Sequence, residues 1–363
     1  MLAAEDLGGV LLNAQHNFAW LTGGASNCID LSRENGASFI FVRADGKRFL
    51  IANNIEMPRL LAEEVSEAEF EPVELKWQDE RASANAVVEK IRSLGHHGDI
   101  GFDLYTFSPL RPIEALIAAC RHELTSEEIG RYRDLGHDAG RAVGNVITQI
   151  TQGETENEIA RKLRDEFEVY GIYSVVTLVG VDERIERYRH PVPTKNIWNN
   201  SLLIAVCARR HGLIASLSRI VCAGDVSSEL RSRTEAAGKV NAALCGATQP
   251  CAKAADLYLI AAEAYADLGF PGEIDKHHQG GACGYRTRDW TAHPNSSETV
   301  RLNQAFAWNP SITGTKAEET GIITPDGFEV ITTTPGFPQV STVVDGREYF
   351  SPGVLSLSIG VSA

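Results

Sequence analysis

Three histidines and one glutamate, in three short motifs of this chain, are of residue types that can transfer protons. His190 lies in RYRHPVPTKN, His277 and His278 open HHQGGACGY, and Glu318 lies in GTKAEETG. An imidazole titrates near neutral pH without assistance, so each histidine is a candidate general acid or base. A carboxylate can orient an imidazole, stabilise its charged form or hold a substrate cation. Each of these four residues could take part in acid–base catalysis, or could be a plain surface or core residue.

Two further motifs carry weaker chemical signals. Cys283 follows His277 closely, but a nucleophilic cysteine needs a lowered pKa and a positioned base, and the sequence shows neither. The glycine-rich GGACG lacks the lysine and the strand–loop–helix context of a phosphate-binding loop. We expect neither thiol catalysis nor phosphate binding.

Composition limits the classes of function and partner. The 363 residues are 43% hydrophobic and 23% charged, as in soluble globular proteins. The formal net charge of −14 argues against nucleic-acid and anionic-membrane partners. Seven cysteines without C-x-x-C pairs favour reduced thiols, and neither a signal peptide nor a membrane span is apparent. We expect a cytoplasmic protein with a small-molecule substrate.

The elements that must position these residues fall into two domains. Residues 8–124 alternate short apolar runs, turns and helical stretches, which indicates an α/β domain. Within it, Asp45-Gly46 predicts a two-residue hairpin turn. Thr125 with Glu128 forms a capping box that predicts the first helix of a second domain. The predicted domains are therefore 1–124 and 125–363.

The second domain repeats one pattern. A capping box at Thr155 predicts a helix that ends near Gly171 and completes a helix pair. Residues 226–246 and 252–268 again read helix, turn, helix. Each pair precedes β-rich sequence, so we predict an internal duplication of two helices followed by strands.

Several motifs occur in a recognisable order along nearly the whole chain. The early stretches are NFAWLTGG and NIEMPRL, and the later ones are TSEEIGRYRDLGHDAGRAV and TQGETENEIA. The first two resemble a creatinase-type N-terminal domain, and the others resemble the start of the catalytic domain of the pita-bread hydrolases: aminopeptidase P, prolidase, methionine aminopeptidase and creatinase. The resemblance implies an α/β (α+β) protein of two domains, the second with a pseudo-two-fold repeat. It also implies a homodimer.

In the metallopeptidases of that family, two Asp, one His and two Glu hold a pair of metal ions. LLIAVCARRHGLIASLSRIV matches the Asp stretch with Ala205 and Ser216, and HHQGGACGY matches the His stretch with Gly281. AWNPSITGTKAEETG matches the two Glu positions with Asn309 and Glu318. Divalent ions need carboxylate or imidazole ligands, so the resemblance predicts a degenerate metal site and no cofactor. A one-residue slip in the His motif is the alternative that would use its second histidine.

Creatinase resembles these enzymes in fold and cleaves a C–N bond with His and Glu residues instead of ions. Our first hypothesis is accordingly a metal-independent, creatinase-like hydrolase or lyase with a small polar substrate. His190 and His277 match places that flank the family's substrate pocket, so the resemblance implies acid–base catalysis by His190, His277 or His278 with Glu318. Candidates for binding the substrate are two arginines that can hold a carboxylate, three aromatic residues and one amide. They are Arg189, Arg219, Tyr285, Trp290, Trp308 and Asn309.

Three alternatives remain open at this point. The chain could be an Xaa-Pro aminopeptidase or dipeptidase whose ligands lie elsewhere, or a binding protein without activity. A single ion could also be held by His190, by His277 or His278, and by Glu318. Substrate identity lies beyond sequence reasoning because a fold does not fix a function.

Overall fold

The chain divides into two compact units with separate hydrophobic cores. The computed structural model describes residues 1–96, 98–104 and 110–358, and the division falls between Arg121 and His122. The predicted boundary at Leu124 lies in the same short segment between two helices. Among the described residues, no helix combines the length and the apolar character needed to cross a membrane.

A six-stranded sheet with helices on both faces forms the first unit. Its strands are β1 Gly9–Ala14, β2 Asn35–Arg43, β3 Arg48–Asn53, β4 Glu71–Leu75, β5 Ile100–Phe102 and β6 Arg111–Pro112. Its helices are α1 Gln15–Leu21, α2 Met57–Arg59, α3 Trp77–Ala82, α4 Ala86–Ser93 and α5 Glu114–Arg121, with shorter turns at Leu2–Glu5 and Leu60–Glu64. The strand order is β4-β3-β2-β1-β5-β6.

Alternation along the strands of this sheet produces its two cores. Leu12, Ile40 and Leu50 belong to one hydrophobic cluster, whereas their neighbours Phe41 and Ile51 belong to another. Successive side chains of a strand point to opposite faces, so both faces of the sheet are buried under helices.

The hairpin between β2 and β3 forms at the predicted place, but its turn is longer than predicted. The amide of Arg43 donates to the carbonyl of Lys47 at 2.9 Å, which leaves residues 44–46 in the loop. Gly46 adopts φ of 87°, the left-handed conformation that closes a three-residue loop. The predicted two-residue turn is therefore wrong, although the Asp-Gly signal located the hairpin.

The second unit contains five helices and twelve strands within the part of the chain described. The helices are α6 Ser126–Gln149, α7 Glu156–Val169, α8 Glu183–Arg187, α9 Ser228–Ala247 and α10 Ala254–Asp267, with a short turn at Pro271–Glu273. The strands are β7 Tyr173–Val181, β8 Ser201–Arg210, β9 Leu213–Ala223, β10 Gly280–Cys283, β11 Ala305–Trp308, β12 Ser311–Ile312, β13 Thr315–Lys316, β14 Glu319–Thr324, β15 Gly327–Val330, β16 Gln339–Val344, β17 Arg347–Pro352 and β18 Val354–Leu357.

Local sequence signals determine where helices α6 and α7 of this unit begin. Both predicted capping boxes are present, with Thr125 and Thr155 accepting from the backbone of Glu128 and Glu158, whose carboxylates bond back. Each box satisfies amides that the first turn would otherwise leave unpaired. Helices α6 and α7 precede one four-stranded sheet, β18-β9-β8-β7, and α9 and α10 precede another, β10-β11-β14-β15. The predicted duplication of helix pair and strands is thus the plan of the unit.

Candidate active site

The β8–β9 hairpin supplies one wall of a small cavity. In the register of the pair, Ala205 lies opposite Ser218 and Cys207 lies opposite Ser216. Residues paired in this way share a face of the sheet, so all four point to the same side. Ala205 and Ser216 are only 3% and 1% exposed. This wall therefore presents a methyl group, a thiol and hydroxyls.

The second sheet supplies the facing residues. Trp308 of β11 pairs with Glu319 of β14, so Asn309 and Glu318 lie together at one end of this pair. The short β12–β13 hairpin between them places Lys316 opposite Ser311. Asn309, Lys316 and Glu318 are buried, with exposures of 2%, 6% and 4%. Three polar side chains are thereby held at fixed positions on the ends of strands.

Between these walls lies a cavity of about 160 Å³. Its lining combines apolar side chains with imidazoles, two cations, a carboxylate and an amide. Its lining consists of Val176, Leu178, His190, Ala205, Val206, Cys207, His278, Thr287, Arg288, Asn309, Lys316 and Glu318. We call this space the central cavity.

Two cations neutralise the one carboxylate of the central cavity. The Nζ atom of Lys316 lies 2.9 Å from Oε2 of Glu318, and Nη2 of Arg288 lies 3.6 Å from Oε1. The hydroxyl of Ser218 donates to the same carboxylate. Burial acts to raise the pKa of Glu318, but Lys316, Arg288 and Ser218 outweigh it and lower the pKa to about 2. Glu318 is therefore ionised at neutral pH, and its carboxylate interacts with Lys316, Arg288 and Ser218.

The three predicted histidines lie together at the edge of this cavity. Nε2 of His277 lies 3.1 Å from Nε2 of His190, and the rings of His277 and His278 stack with centroids 4.3 Å apart. A hydrogen bond between two such nitrogens needs one protonated and one bare nitrogen, so both rings can be neutral. His190 and His278 line the central cavity, whereas His277 lies against His190 and contributes to a smaller adjoining space.

Partial burial and neighbouring cations favour the neutral form of these imidazoles, while the side chains of His190 and His278 remain exposed and His277 is half-buried. Burial, followed by the charge of Lys316, lowers the pKa of His277 to about 2. Burial and the charges of Arg288 and Lys316 lower the pKa of His278 to about 4. The pKa of His190 is also lowered by burial and Lys316. Each neutral ring has one bare nitrogen, and in the His190–His277 pair one of these two nitrogens accepts the hydrogen bond between the rings.

The same three histidines could hold a single metal ion by geometry alone. Their ligand atoms all lie within 4.8 Å of one another. Glu318, which the sequence analysis placed in this alternative set, pairs with Lys316 instead. The cationic charges that lower the imidazole pKa values also disfavour a divalent ion in this space.

The pair of ions implied by the resemblance does not fit the residues present. Ala205 offers no donor atom, and the Ser216 hydroxyl donates to the sulfur of Cys207 at 3.2 Å. The Lys316 ammonium lies beside Glu318, where an ion would need that carboxylate. At Gly281, an added Cβ would lie 2.1 Å from the carbonyl oxygen of Trp290, so the backbone leaves no room for any side chain. We derive no chemical step from such an ion pair.

A substitution tests how closely this position is packed. Gly281→Ala is expected to lower the free energy of unfolding by about 3 kcal/mol, because its Cβ meets backbone atoms that cannot rotate away. Gly130→Ala in α6 is the matched control, since nothing lies within 4 Å of its added Cβ. The control should stabilise the helix slightly. Denaturant unfolding of both variants measures the difference, and equal midpoints would contradict the steric argument.

The predicted substrate-binding residues separate into three groups. Asn309 lines the central cavity, and its Oδ1 is buried without a hydrogen-bond partner among the described residues. Arg189 pairs with Glu273 and lines the smaller adjoining space. The remaining four side chains are buried and do not belong to the described lining of the central cavity. They are Arg219, Tyr285, Trp290 and Trp308.

These four side chains contact other residues of the protein rather than the central cavity. Arg219 is 1% exposed and its guanidinium bonds to Glu319 at 3.0 Å. The hydroxyl of Tyr285 donates to Glu128 at 2.7 Å. Both tryptophans pack against Phe306 in the second unit's main core. We therefore leave these residues out of the proposals below.

The sequence analysis missed the two positively charged residues of the central cavity. Lys316 stands two residues before Glu318 in an extended segment, and the period of two could have placed both on one face. Arg288 lies in an irregular segment between β10 and β11, where no periodicity points to its position. Only Arg288 reaches Glu318 through tertiary packing.

Cys283 is a buried core residue. Its sulfur lies 3.2 Å from the Tyr132 hydroxyl, and burial raises the pKa of the thiol to about 12. A thiol that stays protonated is a poor nucleophile, which agrees with the expectation against thiol catalysis.

A larger cavity of about 360 Å³ lies in the same unit, and five of its fourteen lining residues are acidic. Its Asp182 carboxylate accepts from the backbone amides of Asn199, Asn200 and Ser201, and Glu229 pairs with Arg233. These contacts tie a turn and a helix together. The central cavity differs from this larger cavity in combining imidazoles, two cations and an amide oxygen that has no hydrogen-bond partner among the described residues.

A creatinase-type domain followed by a pita-bread domain defines a class of two-domain hydrolases. The family model for the Creatinase/Prolidase N-terminal domain matches residues 1–128, and the model for Metallopeptidase family M24 matches residues 130–332. The chain belongs to metallopeptidase family M24. The fold and family expected from the sequence are confirmed.

The relatives found share limited sequence identity. An Xaa-Pro dipeptidase of Lactobacillus delbrueckii subsp. lactis is 23% identical over 236 residues, which cover 62% of this chain and 63% of that protein. The prolidase structure from Pyrococcus horikoshii OT3 has a TM-score of 0.76 at 17% identity, covering 92% of this chain and 96% of that one. An N-terminal domain of a FACT complex subunit from Cicer arietinum has a TM-score of 0.69 at 13% identity, covering 92% of each chain. Structural likeness at these identities establishes the fold.

Proposed function

We propose that this chain is a metal-independent hydrolase or lyase that cleaves a C–N or related bond of a small polar substrate. One observation carries the proposal: Lys316 and Arg288 stand with Glu318 in the central cavity, beside the neutral imidazoles of His190 and His278. Largely buried cations beside two accessible imidazoles are a sufficient set for acid–base and electrostatic catalysis.

His190 is the group that we propose transfers the proton. It lines the central cavity, and its Nε2 lies 3.1 Å from Nε2 of His277. In a hydrolysis, the bare nitrogen of His190 would take a proton from the attacking water and return it to the leaving nitrogen. In an elimination, it would take a proton from the carbon next to the bond that breaks. His277 would fix the ring and its tautomer by accepting a hydrogen bond from the Nε2–H of His190, which leaves Nδ1 of His190 bare.

Glu318 has an indirect role in this proposal. Lys316, Arg288 and Ser218 hold its carboxylate ionised, so it is not available as a base at neutral pH. Its charge instead keeps the two cations in place in a buried space. Negative charge that arrives or develops beside Lys316 would raise the pKa of His190, because Lys316 is one cause of its lowering. Substrate binding would thus strengthen the base.

A second candidate is an Xaa-Pro dipeptidase, the activity named for relatives with 23% and 24% identity. This candidate requires ligands for the family's ions, and the four positions described above do not supply them. A third hypothesis is that the chain binds a ligand or partner without catalysis. The homodimer stays a prediction.

A screen for turnover tests the proposal. Purified protein would be incubated with Xaa-Pro dipeptides, N-acyl amino acids, ureas and amidines, and products would be identified by mass spectrometry. We expect cleavage of a small compound from the last three groups, with incorporation of labelled water for a hydrolase and a carbon–carbon double bond for a lyase. Turnover restricted to Xaa-Pro dipeptides, or no turnover in any group, would contradict the proposal.

A further inference from the structure

The two histidines of the proposed proton transfer lie outside regular secondary structure. His190 lies between α8 and β8, and His277 lies between the short turn Pro271–Glu273 and β10. Beyond His190, the amide of Thr194 donates to Glu156 at 2.8 Å, which anchors the later part of that segment. The residue just before His190 is held by a different contact.

One buried carboxylate joins the two histidine segments. Glu273 stands four residues before His277 and is 7% exposed. The guanidinium of Arg189, the residue before His190, donates to this carboxylate. The Arg189 side chain is itself only 16% exposed. Charge-assisted hydrogen bonds of this kind are short and directional, and burial protects the pair from screening by solvent.

The same carboxylate holds the turn that precedes Lys316. Thr313, between β12 and β13, donates to Glu273 from its amide at 3.2 Å and from its hydroxyl at 2.8 Å. The Thr313 hydroxyl also accepts from Arg189 at 3.1 Å. Lys316 ends β13 and lines the central cavity. One carboxylate therefore joins both histidine segments to the strand of this lysine.

Glu273 is engaged entirely by protein donors. Lys276 donates to its Oε1 at 2.9 Å, and Arg189 donates to its Oε2. Burial acts to raise the pKa of Glu273, but Lys276, Thr313 and Arg189 outweigh it and lower the pKa. Glu273 also lies outside the described linings of the central cavity and the smaller adjoining space. Its influence on a reaction would be exerted through the residues that it holds.

We propose that Glu273, acting through Arg189, is a positioning residue that holds His190 against His277 in the orientation needed for proton transfer. The two imidazole Nε2 atoms lie 3.1 Å apart, within hydrogen-bond reach. A hydrogen bond at this distance selects one tautomer for each ring, so the orientation of the rings determines which nitrogen of His190 is bare. The inference rests on the proposed function, since it assigns how the proposed base is held.

Imidazole NMR tests the inference without any substrate. In protein with ¹⁵N-labelled histidine, protonated and bare ring nitrogens give separate signals, and His190→Asn and His277→Asn variants assign the two rings. We expect a single tautomer for each ring in the parent protein at neutral pH, and mixed tautomers in Glu273→Gln. Circular dichroism confirms that the variant is folded. Mixed tautomers in the parent protein, or unchanged signals in folded Glu273→Gln, would overturn the inference.

Two further variants locate the effect. Arg189→Gln breaks the same contact from the other side and should change the two imidazole signals as Glu273→Gln does. Asp138→Asn is the matched control, because Asp138 pairs with Arg210 at 2.7 Å and their side chains are 24% and 17% exposed. This control removes another partly buried carboxylate–arginine pair, outside the described linings of both spaces. Parent-like signals in Arg189→Gln, or altered signals in Asp138→Asn, would overturn the assignment.

The contact should affect kcat rather than KM. Misplacing a catalytic group by about 1 Å can lower a rate roughly 100-fold, so Glu273→Gln and Arg189→Gln should each lower kcat roughly 10- to 100-fold. KM should change less than about threefold, because neither change removes a group that binds substrate in this account. The double variant should lose no more than the weaker single variant, since both changes break one contact. A higher KM at unchanged kcat in Arg189→Gln would make this arginine a substrate-binding residue and overturn the inference.

The two readouts separate this inference from the proposed function. Mixed tautomers in Glu273→Gln, together with no turnover by the parent protein, would support the positioning contact and contradict the catalytic proposal. Turnover that depends on His190 but is equal in the parent protein and in folded Glu273→Gln would do the reverse.

Discussion

Replacing Glu318 with glutamine is expected to lower the free energy of unfolding by about 3–5 kcal/mol, because it leaves buried cations without their counter-ion. Lys316 lies 2.9 Å from this carboxylate and is 7% exposed, and Arg288 lies 3.6 Å away and is 15% exposed. Glutamine preserves the shape of the side chain, so the loss reports charge rather than packing. Denaturant unfolding of the purified variant measures it.

The pH dependence of this loss has a definite sign. The pKa of Glu318 is lowered from the ordinary 4.5 to about 2 in the folded chain. Its stabilisation is therefore present above pH 4.5 and disappears as the pH falls towards 2. The stability gap between the parent protein and the Glu318→Gln variant should close over the same interval.

Two comparisons make the Glu318 result interpretable. Glu329→Gln removes a carboxylate from the surface pair with Arg133, whose side chains are 37% and 48% exposed, and should cost less than about 1 kcal/mol. The double variant Lys316→Met/Glu318→Gln removes both members of a buried pair and should be more stable than Glu318→Gln alone. A loss for Glu318→Gln no larger than that for Glu329→Gln would contradict the buried charge cluster.

Replacing His190 with asparagine is expected to lower kcat by roughly 10²–10⁴-fold, the usual contribution of a general acid or base. The substrate for this measurement is the compound identified by the turnover screen. His190 lines the central cavity, so its loss removes the proton acceptor itself. His277→Asn should also lower kcat, through the ring of His190 that it contacts.

The pH–rate profile distinguishes a base from a structural residue. Catalysis needs the neutral ring, and burial and Lys316 lower the pKa of His190 below the ordinary 6.5. The acidic limb of kcat/KM should therefore lie below pH 6.5. Lys316→Met removes one cause of the lowering and should move this limb to higher pH.

His211→Asn is the matched control for the histidine variants. His211 lies in the exposed β8–β9 turn with φ of 50°, a conformation that asparagine readily adopts. Its kcat and pH profile should equal those of the parent protein. A His190→Asn variant with kcat as high as that of His211→Asn would show that another group transfers the proton.

Local signals in the sequence predicted the framework of this fold. The capping boxes at Thr125 and Thr155 use only residues three apart, and both helices begin where those boxes indicate. The Asp45-Gly46 turn shows the limit of such reasoning, since the hairpin is present but its loop has one more residue than predicted. Turn length depends on strand register, which a dipeptide does not specify.

The candidate site required information from tertiary packing. Its three histidines were found from the sequence, but their division into cavity-lining His190 and His278 and supporting His277 depends on side-chain contacts. Trp290 and Trp308 were predicted to line a pocket and lie in the core instead, since apolar aromatic side chains suit both places. The pairing of Arg288 with Glu318 joins segments with no local relation in the sequence.

Turnover after complete removal of metal ions is the measurement that separates side-chain catalysis from the metal chemistry of the family. The protein would be treated with a chelator until elemental analysis shows metal well below one equivalent, and turnover of the identified substrate would be measured before and after Mn²⁺, Co²⁺ or Zn²⁺ is added. We predict equal kcat in all samples, because Ala205, Ser216, Gly281 and Asn309 supply neither carboxylate nor imidazole. Loss of turnover on chelation, restored by added metal, would contradict the proposed chemistry.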